Sequence, residues 1–129
     1  MAGTLTISTL SDGTNSTSAT NPILGSAKAW VNWQGAGGTI NSSFNVSSVT
    51  RTAQGTYTIN FTTAMPNANY AYTGMSIYNA ALRLQVVSQD YRTPNTTSAL
   101  YVVTGYAGAD TAAGFLADVT AASVAVFSS

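Results

Sequence analysis

Residues 56–63, TYTINFTT, set the period of the chain. Tyr57, Ile59 and Phe61 fall on one side of an extended backbone; Thr56, Thr58, Asn60 and Thr62 fall on the other. One apolar row and one polar row make a strand with one face in a core and one in water. Residues 27–33, AKAWVNW, repeat the pattern, with Ala29, Val31 and Trp33 opposite Lys28, Trp30 and Asn32. Trp30 and Trp33 differ in parity, so a regular strand cannot turn both inward. Trp33, with Tyr57, is expected in the core. Trp30 is expected to meet solvent, a second sheet or another subunit.

The same period runs outward from these two segments. GAGG at 35–38 and AQG at 53–55 read as turns. In TINSSFNVSSVTR, residues 39–51, Ile40, Phe44 and Val46 are in phase and Val49 is not, which predicts a bulge at Ser47–Ser48. MPNAN at 65–69 reads as a turn around Pro66 and Asn67. Strands are expected in YAYTGMSIY, LRLQVVS, ALYVVTGY and the closing FLADVTAASVAVFSS, with a helix conceivable only around 109–117. Short strands, regular turns and no helical period predict an all-β fold, an antiparallel β-sandwich over residues 27–129. Residues 1–26 read as an extended N-terminal arm, with one short strand carried by Leu5, Ile7 and Leu10 and a linker, SDGTNSTSATNP, ended by Pro22.

Composition narrows the function. The 129 residues hold four Lys plus Arg, four Asp plus Glu, no His and no Cys, for a formal net charge of zero. Only 6 % of residues are charged, while 45 % are hydrophobic; a typical soluble domain is about 25 % charged. Four cations do not displace the counterions of a nucleic acid, and they do not hold an anionic membrane. No apolar run is long enough to span a bilayer, so membrane insertion is not expected. Residues 1–22 lack the basic start and apolar block of a secretory signal. Without Cys or His no zinc, haem or iron–sulfur cofactor is expected.

Catalytic candidates are few. Asp110 and Asp118 would have to meet in space to act as an acid pair or a weak calcium site, and the alternative is that each stabilises a turn. Ser26 and Lys28 share a face and would form a nucleophile–base pair only if aligned. Asn15, Asn41, Asn45, Asn60 and Asn95 head N-x-S/T triplets that a chain so rich in Asn, Ser and Thr contains by chance. No catalytic, cofactor or metal residue is assigned. The aromatic residues remain: Trp30, with Tyr70 and Tyr72, is the candidate contact for a neighbouring subunit or a glycan, since sugar rings stack on aromatic faces and hydroxyls pair with amides.

AKAWVNW, INSSFNVSSVTR and GTYTINFTTAMPNANYA, in that order and spacing, resemble a module of tailed-bacteriophage virion proteins, especially tail fibres and fibre-like proteins. LTISTLSDGTNSTS resembles the arm that often precedes it. The resemblance covers residues 27–72; residues 73–129 match in style only. It implies a non-enzymatic structural protein on the outside of a virion, made in the host cytoplasm and released by lysis. A homotrimer is implied, with Leu5, Ile7 and Leu10 in an arm docking to other virion proteins of the capsid or tail. With no long shaft, a short fibre or knob and a capsid decoration protein are equally open. A free carbohydrate-binding module that holds a host cell-surface glycan is the alternative.

Overall fold

In the computed structural model, which describes residues 3–77, 84–107 and 115–128, the period-two segments become strands. In chain order they are β1 (Thr9–Ser11), β2 (Ser16–Ser18), the helical turn α1 (Thr20–Gly25), β3 (Ala29–Gln34), β4 (Thr39–Phe44), β5 (Val46–Ala53) and β6 (Thr56–Phe61). β7 (Ala71–Ile77), β8 (Leu84–Gln89), β9 (Ala99–Ala107), β10 (Phe115–Leu116) and β11 (Ala121–Phe127) follow. One sheet runs β4-β3-β11-β7. The other runs β5-β6-β9-β8, with β10 lying beside β9 where β6 has ended. All pairings are antiparallel. Of the helix expected around 109–117, residues 109–114 lie outside the described residues, and Phe115–Leu116 is strand.

The two sheets meet through their apolar rows. Ala29, Val31 and Trp33 of β3 and Ala122, Val124 and Val126 of β11 face Tyr57, Ile59 and Phe61 of β6 and Leu100 and Val102 of β9. Trp33 is 0 % exposed and stands edge-on to Tyr57 across the core, ring centroids 5.7 Å apart and planes at 63°. Apolar area removed from water contributes about 25 cal/mol per Å², so these rings dominate the core.

Residues 39–51 are two strands in different sheets, where the sequence suggested one. The chain changes sheet at Asn45, whose φ is 55°. Asparagine tolerates this left-handed conformation better than most residues. Its side chain holds the corner: Oδ1 accepts from the Thr63 N–H at 2.7 Å, and Nδ2 donates to the Lys28 and Thr63 carbonyls at 3.1 Å each. Past the corner, the pairing of β5 with β6 skips Ser47, the expected bulge. Two further shifts were not expected, one at Thr52 in the same pairing and one in β4. Asn32 pairs with Ser42 and Trp33 with Ile40, which leaves Asn41 as the extra residue. Ile40 therefore packs against the core while Phe44 points out, 55 % exposed.

The arm is more structured than a linker. β1 and β2 form a hairpin of their own, separate from the two body sheets. Asp12 Oδ1 accepts the N–H groups of Thr14 at 2.9 Å and Asn15 at 2.7 Å, which closes the turn. Pro22 sits inside α1 and does not end the segment; in a first turn its missing N–H costs no helical bond. Leu10 lies in β1, Leu5 and Ile7 precede it, and all three side chains are exposed.

Candidate functional site

The outward face of the β4-β3-β11-β7 sheet brings together the chain's exposed tryptophan and a row of amides. Register fixes which residues share it. Trp30 pairs with Phe44 on β4 and Ala125 on β11, and Ala125 pairs with Thr73 on β7. One step along, Ser42, Asn32, Ser123 and Met75 form the next row. Trp30 is 39 % and Met75 79 % exposed. Between them lies a trough of about 390 Å³ floored by Gly74, Ser123 and Ala125. The floor is low here because β11 turns the small side chains of Ser123 and Ala125 outward; Phe127 shares their parity further along the strand.

The polar part of this face is a directed ladder. Gln34 Nε2 donates to Asn41 Oδ1 at 3.2 Å, Asn41 Nδ2 to Asn32 Oδ1 at 2.7 Å, and Asn32 Nδ2 to Ser123 Oγ at 2.7 Å. The Asn41 bulge places an amide there. Every member is uncharged, so the face pairs with ligand hydroxyls without an electrostatic preference. The ladder, Phe44 and Met75 are not singled out by the sequence. Asn32 shares the parity of Trp30, which was the one available signal.

Trp30 stands on this face, but Tyr70 and Tyr72 do not, which corrects their grouping with it. Tyr72 is the register partner of Val126, on the inner row, and its hydroxyl donates to Gln89 Oε1 at 3.2 Å. Tyr70 is only 6 % exposed, edge-on to Phe61 at 5.7 Å. Its hydroxyl lies 2.8 Å from the Ala99 carbonyl and 3.1 Å from that of Thr96. Burial pushes its pKa up to about 12. Tyr70 is a core strut and presents no face to a ligand.

No family model matches the chain, and no curated protein and no solved structure matches it either.

The described carboxylates are all engaged. Asp118 accepts Arg51 Nε at 2.9 Å and Nη2 at 2.7 Å, and the Gly55 N–H at 2.9 Å. The Arg51 guanidinium, with these N–H donors, holds Asp118 down at about 2. Burial, reinforced by Asp118, pushes the Tyr57 hydroxyl pKa up. Buried Asp90 takes Arg92 Nε at 2.8 Å and Nη2 at 3.0 Å, and Arg92 lowers its pKa. Asp12 closes the arm hairpin, and the N–H groups it accepts lower its pKa. Asp110, the other half of the expected acid pair, lies outside the described residues. Lys28 Nζ donates to the Ile23 carbonyl and, at 3.1 Å, to Ser26 Oγ, so it fastens the end of α1 to the start of β3. Among the described residues no three His, Cys, Asp or Glu side chains gather as a metal site, and no helix is long and apolar enough to cross a membrane.

Proposed function

We propose that this chain is a non-enzymatic structural protein on the exterior of a tailed-bacteriophage virion, docked by its arm with the β-sandwich facing out. The observation that carries this is the exposed apolar surface of the arm. The sandwich encloses its inner apolar rows, although Phe44, Met75, Ile77 and Tyr91 lie exposed on it. The arm leaves Leu5 81 % exposed, with Ile7, Leu10, Ile23 and Leu24 exposed behind it. A short segment that presents five large apolar side chains to water is suited to burial against another protein. The resemblance of residues 27–72 to fibre-like virion modules supports the same function. A homotrimer of this kind would also cover the strand edges of a sandwich with too little charge to keep its edges apart.

The test is deletion of residues 1–22. The shortened protein is expected to keep the unfolding transition of the sandwich and to be missing from assembled particles. Full incorporation of the shortened protein would contradict the arm's role.

A further inference from the structure

The outward trough of the β4-β3-β11-β7 sheet has the chemistry of a ligand site, and its walls say which ligand. We infer that it binds neutral glycans, a pyranose ring lying against Trp30 with its hydroxyls on the amide ladder. The inference concerns the isolated chain and does not rest on a place in a virion.

Three features select this occupant. First, the walls stand on β3 and β7 with one strand between them, about 10 Å across the strands, and Met75 lies one outward row along from Trp30. That width admits one sugar ring over the floor of Ser123 and Ala125. Second, Trp30 supplies a partly exposed indole and Met75, diagonal to it, an exposed apolar side chain. The C–H face of a pyranose packs on such surfaces. Third, each ladder amide directs one N–H to its neighbour, through Gln34, Asn41 and Asn32 to Ser123. Each NH₂ group has a second N–H and each amide oxygen a second lone pair, and a donor and an acceptor side by side match a vicinal diol. The bonds within the ladder hold those groups in place before binding, which lowers the ordering cost.

Charge excludes the competing ligands. The residues lining the trough, Trp30, Asn32, Thr73, Met75, Ser123 and Ala125 among them, include no ionisable side chain. A phosphorylated or carboxylated polymer would find no cation here, and a basic peptide would find no anion. Lys28 flanks the strand, but its amine is committed to Ile23 and Ser26.

The two tryptophans give the experiment its readout. Trp33 is fully buried, so a change in emission on adding a ligand reports Trp30. Dextran, mannan and galactan are titrated into the full chain, with polygalacturonate as the acidic comparison. At least one neutral polymer is expected to shift the emission saturably, with little change up to about 0.5 M salt. Calorimetry on Trp30→Ala and Asn32→Ala, each first shown to unfold near the wild-type temperature, is expected to give binding weaker by about tenfold or more. Four results would overturn the inference: no response to any neutral polymer, a response to polygalacturonate alone, full-strength binding by both variants, or a fall in oligomer mass in Trp30→Ala. The last would show the face buried between copies.

Discussion

The Tyr57 hydroxyl lies 2.7 Å from the Gly35 carbonyl and 2.9 Å from Asp118 Oδ1, so one buried proton joins the turn after β3 to the approach to β11. The ring below it packs on Trp33. Tyr57 is thus both the centre of the core and the anchor of one end of the sandwich. Tyr57→Phe keeps the ring and removes the proton, leaving the Gly35 carbonyl short of a donor. Denaturant unfolding is expected to show a loss of about 1–2 kcal/mol with no change in the denaturant slope.

Acid should loosen the same end. Asp118 has a folded pKa of about 2 against an ordinary 3.8. A depressed carboxylate contributes stability that is full above its unfolded pKa and lost as pH falls through the folded one. Asp90 is displaced in the same direction by Arg92. Stability is therefore expected to hold above about pH 4 and to fall between about 4 and 2, Asp118 contributing on the order of 1 kcal/mol once solvent screening is allowed for. Unfolding measured across this range should show a shallower acid dependence in Asp118→Asn.

Gly55 and Gly37 make a contrasting pair. A Cβ on Gly55 would stand 2.6 Å from Ala117 N and from Thr104 O, at a φ of +63°. On Gly37 its nearest neighbour would be Thr39 Oγ1 at 3.6 Å. Gly55→Ala is expected to cost more than about 2 kcal/mol, through backbone contact and strain together, and Gly37→Ala less than about 0.5 kcal/mol. Thermal unfolding separates the two.

At Asn45 two effects can be told apart. Asn45→Ala loses the bonds to Lys28 and Thr63 and keeps the left-handed φ, whereas Asn45→Gly loses the bonds but relieves the backbone. Alanine is expected to cost about 2 kcal/mol or more, and glycine about 1 kcal/mol less than alanine, by denaturant unfolding. Equal costs would show that the corner depends on the side-chain bonds alone.

Much of the fold was legible because parity is local. Tyr57, Ile59 and Phe61 alternate in the sequence and face the core in the structure. The opposite parity of Trp30 and Trp33 correctly put one out and one in. Parity fails where the backbone breaks it. The Asn41 bulge turned Phe44 outward, and the Asn45 corner divided one apparent strand between two sheets. Tyr70 and Tyr72 were grouped with Trp30 by residue type, yet Tyr70 precedes β7 and Tyr72 pairs with inward Val126. The ladder was hidden for another reason: Asn32 meets Ser123 across 91 positions. Arg51 meets Asp118 across 67, and no local pattern records such a pairing.

The proposed role places this sandwich, as a non-catalytic part, on a virion surface. Immunogold electron microscopy of purified particles, using antibody to residues 27–72, tests it most directly. Gold is expected on the outside of intact particles. Particles that carry none of this chain, from a lysate in which it is abundant and free, would contradict it.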